Sequence, residues 1–335
     1  MLKFILRRLL LLIPVIIGLT VIMFAIARLL PGDPVGLAAG PNATPQERAE
    51  LAHEFGLDQP VWAQYATYVT GLAHGDLGRS LLTRRPVAAD IAAYLPATLE
   101  LVLTAMLIAV LIGVPLGLLT AMWRNRWPDY LSQVLAIGAI SMPRFFLGLL
   151  MQLVFAMWLA WLPLGGQLPI VAFPPPHVTG FITIDALLAG NLDTFMVALR
   201  HLAMPAIALS LSPLATIMRM MRASTIEVMG QDYVMTARAL GLPARKIIMK
   251  VIGRNAVSAT LTVIGLYFGW LLGGTVLVET VFDWPGLGLY ATKAIISQDM
   301  MPVIGVALVI GLIFVFANLV IDLAYGIINP KVRYG

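Results

Sequence analysis

Long apolar stretches alternate with polar loops along the whole chain, and six of them approach the length of a membrane span. An α-helix needs about 20 apolar residues to cross the hydrocarbon core of a bilayer. The pattern therefore predicts an all-α membrane protein with six transmembrane helices. We place these helices at Leu9–Leu29, Leu101–Met122, Leu131–Leu162, Leu202–Met218, Ala256–Val281 and Val303–Ile328.

Proline interrupts two of these stretches. The third is longer than one span and contains Pro143 followed by Arg144, so the pattern leaves its membrane limits open. The fourth is short and contains Pro205 and Pro213. Because proline removes a helical hydrogen bond and clashes with the preceding turn, the fourth stretch is the weakest of the predicted spans.

The composition agrees with a membrane protein. Of the 335 residues, 60% are hydrophobic and 12% are charged, and the mean hydropathy is +0.90. Soluble domains carry about 25% charged residues. The chain contains no cysteine, which excludes disulfides and thiol chemistry.

The 22 Lys and Arg residues concentrate on one side of the predicted membrane. They cluster at the N-terminus, in loops 123–130 and 219–255 and in the C-terminal tail, whereas acidic residues dominate the other loops. Short loops rich in Lys and Arg face the cytoplasm. We therefore expect both termini to be cytoplasmic. We interpret the net charge of +5 as a topology signal, with no nucleic-acid partner.

Four segments follow from this topology. Residues 1–30 form an N-terminal segment with the first span; a cleaved signal peptide is the alternative, but the apolar run is longer than a usual signal core. An outer segment, 31–99, precedes a transmembrane core, 100–328, which contains the cytoplasmic loop. Residues 329–335 form a cytoplasmic tail.

The outer segment contains two helical patterns. Thr44 and Glu47 have the spacing of a capping box, which predicts a helix over Pro45–Phe55, and Val61–Leu72 also has helical spacing. We expect a small helical cap rather than an independent domain. A second outer loop, 163–193, is rich in proline and glycine, and we expect little regular structure there.

A short helix is predicted inside the basic loop 219–255. Asp232 can accept hydrogen bonds from the free N–H groups at a helix start, Gly241 suits a left-handed stop, and Pro243 prevents continuation. About eight helical residues are too few to be stable alone in water. The segment is therefore either a surface turn between spans or a helix that packs against a partner.

Motifs for the common enzyme chemistries are absent from the sequence. It has no Gly-x-x-x-x-Gly-Lys-Ser/Thr phosphate loop, no His-Glu-x-x-His zinc motif and no Gly-x-Ser-x-Gly nucleophile elbow. The four histidines are scattered. We therefore predict no catalytic residue and no metal site, and we expect ATP hydrolysis to occur on another chain.

Two charged residues lie inside predicted spans, where charge is costly and often functional. Arg144 either lines a translocation path and attracts a carboxylate, snorkels to the surface, or pairs with Asp322 or a neighbouring chain. For Asp322 we expect a structural pair with a loop arginine. Glycines spaced by four residues predict close helix packing, within this chain or with another; they are Gly113, Gly117, Gly265, Gly269 and Gly273.

The basic loop resembles a motif of a known family. Thr236-Ala-Arg-Ala-Leu-Gly241, followed by Arg254-Asn-Ala256, is similar to the cytoplasmic loop of ABC importer permeases in its peptide-importer form. That motif is Glu-Ala-Ala, three residues, then Gly. Ala237 and Gly241 match its second Ala and its Gly, whereas its Glu and first Ala are replaced by Met and Thr here.

Further segments resemble the dipeptide/oligopeptide permeases of the B type, in the same order and over nearly the whole chain. These segments are Leu6-Arg-Arg8, Leu30-Pro-Gly-Asp-Pro34, Gly56-Leu-Asp-Gln-Pro60, Gln64-Tyr65, Gly75-Asp-Leu-Gly78, Glu279-Thr-Val-Phe282, Pro285-Gly-Leu-Gly288, Asp322, Tyr325-Gly326 and Asn329-Pro330.

The resemblance implies the fold and the partners of a type I ABC importer permease in the bacterial inner membrane. One such subunit pairs with a second, homologous permease in the bilayer. Two cytoplasmic ATP-binding subunits dock below, and an extracytoplasmic solute-binding protein delivers the substrate from above. The permease itself would bind no cofactor, since ATP and Mg belong to the ATPases.

The resemblance also implies roles for particular residues. The helix after Asp232 would be the coupling helix, which sits in a groove of one ATPase; its contact candidates are Asp232, Thr236, Ala237, Arg238, Gly241 and Leu242. Arg144 is a candidate for the translocation path. Candidates for an outer gate or docking surface, with a tight structural turn as the alternative, are Glu279, Pro285, Gly286 and Gly288.

We expect import of di- or oligopeptides. Alternative substrates within the same family are glutathione, nickel chelates and cell-wall peptides. A stand-alone channel or secondary transporter is a further alternative, but that class shows more intramembrane polar residues and internal repeats. An intramembrane hydrolase is disfavoured by the absent motifs.

Overall fold

The computed structural model describes residues 2–29, 44–54 and 58–328. Within these ranges the chain forms helices and no β-strand, which confirms the prediction of an all-α protein. The helices are α1 Leu2–Leu29, α2 Pro45–Glu54, α3 Val61–Ala73, α4 Val87–Met122, α5 Trp127–Ser141, α6 Arg144–Met151, α7 Ile182–Leu188, α8 Leu192–Met229, α9 Asp232–Ala239, α10 Arg254–Gly274, α11 Val276–Val281, α12 Leu287–Ile296 and α13 Met300–Ile328.

Two π-helical segments extend this set. Gln152–Trp158 continues α6, and Ile247–Gly253 leads from a helical turn at Ala244–Lys246 into α10. Among the described residues, five helical stretches are long and apolar enough to cross a membrane, and a sixth forms if α5 and α6 count as one bent span. Each of the six predicted spans therefore corresponds to helix in the structure.

The third predicted span is broken at Pro143. α5 and α6 with its π-helical extension meet at an angle of 101°, and Met142 between them is extended, with ψ 127°. The proline ring pushes the preceding residue out of helical conformation. α5 has 15 residues, or about 22 Å of helix, which is shorter than a hydrocarbon core of about 30 Å. The break places Arg144 at the first position of α6.

The helices do not share the bounds of the predicted spans. The helix that contains the second span begins at Val87, before Leu101. The fourth, which we ranked weakest, belongs to the longest helix, α8, with 38 residues that include Pro205 and Pro213. Both prolines are buried between neighbouring helices, an environment in which membrane proteins tolerate helical proline. The predicted fifth span is two helices, since α10 ends at Gly274.

α4 and α8 pack along each other at the centre of the bundle. Their contact is close because Gly113 and Gly117 carry no side chain. A Cβ at Gly117 would lie 2.5 Å from the carbonyl oxygen of Met218 and 2.7 Å from Cβ of Met221. These glycines therefore serve packing inside this chain.

The glycines of α10 face two different environments. A Cβ at Gly265 or Gly269 would collide with Ile321 or Phe314 of α13, so these two glycines let α13 approach closely. Gly273 has no atom within 4 Å of an added Cβ. The predicted glycine ridge is therefore used internally over its first two positions and is open at the third.

The described part of the outer segment contains α2, α3 and the start of α4, whereas residues 74–86 between α3 and α4 are not helical. The backbone N–H of Thr44 donates to Glu47 at 2.8 Å, and the Glu47 N–H donates back to Thr44 Oγ1 at 3.3 Å, which confirms the capping box. Residues 159–181 form no α-helix or strand apart from isolated turns. The resemblance segments at 30–34, 56–57 and 329–330, and the side chains of Asp322 and Tyr325, lie outside the described part of the chain.

Candidate functional site

The helix α9 lies between α8 and the π-helical segment, inside the basic loop. Asp232 is its first residue, and Gln231 before it provides no side-chain cap. The prediction that Asp232 accepts hydrogen bonds at the helix start was therefore wrong, because its carboxylate is one position too late to cap. An acidic residue in the first turn still complements the positive end of the helix dipole.

The end of α9 follows the prediction closely. Gly241 has φ +71°, a left-handed conformation that favours glycine. Its N–H donates to the carbonyl of Arg238 at 3.0 Å, and the Leu242 N–H donates to the carbonyl of Ala237 at 3.3 Å. These two bonds form a Schellman motif, which satisfies the last carbonyls of the helix. Pro243 follows directly.

One face of α9 is attached to its own chain. Val234 and Ala237 are buried, and they pack against Ile247 and Ile252 of the π-helical segment. Leu242 joins the same cluster. Two of the six predicted contact residues, Ala237 and Leu242, are therefore turned inward and hold α9 in place.

The other face of α9 is exposed and partly apolar. Met235 is 63% exposed and Leu240 is 74% exposed, and Thr236 and Arg238 lie beside them in solvent-accessible positions. The list of contact candidates from the sequence did not include these two exposed apolar side chains. The i, i+3 spacing of Val234 and Ala237 leaves Met235 outside the inward face, but it does not identify Leu240, which lies three residues after Ala237.

The end of α8 next to α9 is fixed to α5 by an ion pair. Arg222 Nε donates to Asp129 Oδ1 at 2.6 Å, and Arg222 Nη2 donates to Oδ2 at 2.7 Å. Asp129 also accepts from the N–H of Asn125 at 3.1 Å and from Gln133 at 3.0 Å. A forked pair of this kind is geometrically specific. Sequence reasoning missed it, since both residues counted only as loop charges.

The candidate gate residues form a buried turn at the other end of α10. Glu279 accepts hydrogen bonds from the N–H groups of Gly288 at 2.6 Å and Leu289 at 3.0 Å, and from Thr98 Oγ1 at 2.8 Å. A Cβ at Gly286 would lie 2.5 Å from the Glu279 carboxylate. The carboxylate thus binds the N-terminus of α12, where its charge is favourable.

The burial of this turn limits what it can contact. Glu279, Gly286 and Gly288 are all buried, and Pro285 is half-buried. These positions match the alternative of a tight structural turn more closely than an exposed docking surface. Thr98 of α4, which the sequence did not single out, joins α4 to this turn, because its oxygen also accepts from the Leu287 N–H at 2.7 Å.

Arg144 lies at the break between α5 and α6 and lines two concavities. One has a volume of about 460 Å³ and is bounded by α10 and by Phe314 of α13. The other, of about 380 Å³, is bounded by the end of α5, by Ser212 of α8 and by Leu277 of α11. Arg144 is partly buried, and the predicted pairing with Asp322 involves a side chain outside the described set.

Comparison with known proteins identifies the class of membrane protein. Residues 113–334 match the family described as "Binding-protein-dependent transport system inner membrane component", and residues 1–102 match its N-terminal region. The chain belongs to this family. It is an all-α permease of the ABC transporter class, with several membrane-spanning helices, in the inner membrane.

Curated relatives cover the whole chain. A dipeptide transport system permease protein of Alkalihalophilus pseudofirmus is 43% identical over 100% of both chains. A probable D,D-dipeptide transport system permease protein of Escherichia coli K12 is 45% identical over 97% of this chain and 95% of its own length. A glutathione transport system permease protein of Escherichia coli is 38% identical over 100% of both chains.

Proposed function

We propose that this chain is one of two permease subunits of an ATP-driven importer of dipeptides. The support for the substrate class is the set of relatives named for dipeptide transport, at 41–45% identity over at least 97% of this chain. Glutathione, the substrate named for a 38% identical relative, is the alternative. In this proposal both termini and α9 face the cytoplasm, in agreement with the distribution of Lys and Arg.

The observation that carries the coupling role is the two-sided character of α9. Its inward face, Val234 and Ala237, is attached to the segment that leads into α10, and its outward face presents Met235 and Leu240 to solvent. Exposed apolar side chains on a short helix outside the membrane are typical of a docking element. We infer that this face seats in a groove of an ATPase that holds ATP and Mg.

Arg238 and Asp232 complete the proposed contact. Both are exposed on α9, where they can pair with charges at the rim of the ATPase groove, and rim charges mainly guide association. Movement of α9 reaches α10 through the π-helical segment and reaches α5 through the Arg222–Asp129 pair. The buried turn around Glu279, Pro285, Gly286 and Gly288 acts in this proposal as a rigid support at the outer end.

Two substitutions on the exposed face test the coupling role. In a co-expressed transporter with both permeases, both ATPases and the binding protein, Met235→Asp and Leu240→Asp should each weaken retention of the ATPase about 10-fold or more. Burial of one such side chain contributes about 1.5–3 kcal/mol. The measurements are copurification of the ATPase in detergent and dipeptide uptake by proteoliposomes.

Val61→Asp is the matched control, because Val61 is an apolar side chain of α3 with 69% exposure, far from α9 in the chain. It should leave copurification and uptake unchanged. Normal copurification and uptake in both α9 variants would overturn the coupling role. Uptake of dipeptide by this chain without any ATPase would overturn the proposed function as a whole.

A further inference from the structure

Arg144 has an unusual position for a charged residue in an apolar region. It begins α6, directly after the Pro143 break, and its guanidinium lies against α10. A Cβ added to Gly274 would be 2.5 Å from Arg144 Nη1. The absence of a side chain at Gly274 is therefore what makes room for the guanidinium.

The guanidinium has no acceptor in the described part of the chain. No carboxylate within the described residues forms an ion pair with Arg144, whereas Arg222 binds both oxygens of Asp129. A charged group within a membrane segment is costly, and it usually pairs or faces a cavity. Arg144 can therefore face the adjoining concavities or bind an acceptor that comes from outside this set of residues.

The space around Arg144 can accept such a partner. The concavity of about 460 Å³ beside α10 falls in the range of small-molecule sites, about 300–1,000 Å³. Its lining is apolar apart from Arg144, with Trp270 and Phe314 among its walls. Gly273 also lines this concavity and contributes no side chain to it, and a Cβ added there would meet no atom within 4 Å.

The start of α6 adds a second attraction for an anion. The first N–H groups of a helix have no partner within the helix, and Pro143 before Arg144 supplies no side-chain cap. The helix dipole favours negative charge at this end. The start of α6 borders the smaller concavity, of about 380 Å³, and Arg144 lines both this concavity and the groove beside α10.

We propose that Arg144 binds the terminal carboxylate of the transported peptide, and that the apolar groove receives the adjoining side chain. This inference rests on the proposed function in dipeptide import. Every unmodified peptide has this carboxylate, whatever its side chains, and a guanidinium binds a carboxylate through two parallel hydrogen bonds. One arginine in an apolar groove would therefore select free peptides with little sequence preference.

Direct binding to the assembled transporter in detergent, without binding protein, tests this inference. The probes are radiolabelled dialanine and dialanine amide, which differ in the terminal carboxylate. Wild type should bind dialanine about 10-fold or more tightly than the amide. Arg144→Gln should abolish this preference, and Arg144→Lys should keep part of it. Arg124→Gln, in an exposed loop position, is the matched control and should behave as wild type.

A second variant tests the groove without altering the charge. Gly273→Val places a side chain in the open space and should weaken dialanine binding, while the complex still assembles. An unchanged preference for dialanine in Arg144→Gln, or no measurable binding of dialanine by wild type, would overturn the inference. Loss of the second permease from Arg144→Gln would overturn it as well, because Arg144 would then pair with the neighbouring subunit.

Failure of this inference is separable from failure of the proposed function. If wild type imports dialanine with ATP in proteoliposomes and Arg144→Gln does so equally well, only the carboxylate site is wrong. If wild type imports no dipeptide with ATP and its binding protein, the proposed function is wrong.

Discussion

Arg222 lies near the end of α8 and Arg144 lies at the start of α6, and their surroundings are opposite. Arg222 holds both oxygens of Asp129, at 2.6 and 2.7 Å, and Asp129 is 1% exposed. Arg144 has no acceptor among the described residues and lines a groove of about 460 Å³. One arginine is part of a closed network, and the other faces open space.

The difference shows that a charge on a helix of this protein does not by itself identify a functional residue. The Arg222 pair joins α8 to α5, so its charge is used to fix two helices. The Arg144 charge fixes nothing in the described chain, although keeping it there is costly. The presence or absence of a partner within the described chain is what distinguishes the two arginines.

The largest expected effect is on stability. Arg222→Met leaves the buried carboxylate of Asp129 without its cation, and breaking a buried pair costs about 3–5 kcal/mol. Arg144→Met removes no hydrogen bond within the described chain, so its cost should stay below about 1 kcal/mol. The free energy of unfolding of the purified subunit in detergent, obtained from denaturant titration, measures both.

The double variant Asp129→Asn with Arg222→Met provides the control for this pair. It should recover part of the stability, since no uncompensated charge remains. Equal losses for Arg222→Met and Arg144→Met would contradict the comparison, because Arg144 would then have a structural partner of similar strength.

Glycines near the two arginines should differ in how well they tolerate an added methyl group. Gly117→Ala would place a Cβ 2.5 Å from the Met218 carbonyl oxygen, near Arg222, and overpacking costs about 1–3 kcal/mol. Gly273→Ala adds a Cβ in open space near Arg144 and should leave the thermal unfolding midpoint unchanged or slightly higher. Destabilisation by Gly273→Ala equal to that by Gly117→Ala would show that the groove is closed.

Local signals explain what could be predicted from the sequence. The stop of α9 depends on Gly241 and Pro243, which act within a few residues, and the capping box depends on Thr44 and Glu47. The break at Pro143 also has a local cause, although the sequence analysis left only the membrane limits of that span open. In each case the physical cause lies inside a window of about one helical turn, so one sequence is sufficient to find it.

Distant partners explain what was missed. Arg222 and Asp129 are 93 positions apart, and no pattern in the sequence connects them. α4 begins at Val87, and the buried carboxylates of Asp90 and Glu100 in its first part accept hydrogen bonds from Tyr290 and Thr183. The sequence analysis placed the region up to residue 99 in the outer segment. The fold shows that hydrogen-bond donors distant in the sequence contact these two carboxylates within a helix.

Asp185 tests whether a buried carboxylate needs an opposite charge at all. It is 3% exposed and accepts from the N–H groups of Thr179 at 2.7 Å, Gly180 at 2.9 Å and Val178 at 3.2 Å. Burial by itself would raise the pKa of Asp185, but the hydrogen bonds from Thr179 and the neighbouring N–H groups hold this pKa below its ordinary value.

A group with a lowered pKa stabilises the fold above its unfolded pKa, about 3.9 for Asp, and loses this contribution as the pH falls through the folded pKa. Asp185→Asn should therefore weaken hydrogen-exchange protection of residues 178–180 at pH 7, by about 1–2 kcal/mol for a lost cap. The difference from wild type should shrink in strong acid. Asp193→Asn, at an exposed position, is the control and should leave the protection of residues 178–180 unchanged. If Asp185→Asn still differed from wild type in strong acid, the ionised carboxylate of Asp185 would not be the cause of the protection.

The smallest expected effect separates charge from shape at the two arginines. Arg222→Lys keeps the positive charge but replaces a planar fork with a point charge, so one of the two hydrogen bonds to Asp129 is lost at about 1 kcal/mol. Arg144→Lys removes no described hydrogen bond and should leave the free energy of unfolding unchanged. Both variants keep the positive charge. A difference between their free energies of unfolding therefore reports whether the chain already contains an acceptor that fits the planar guanidinium. If Arg144→Lys lowered the free energy of unfolding as much as Arg222→Lys, this subunit would have to contain an acceptor that binds Arg144 through two hydrogen bonds. The proposed binding of a peptide carboxylate by Arg144 would then be contradicted.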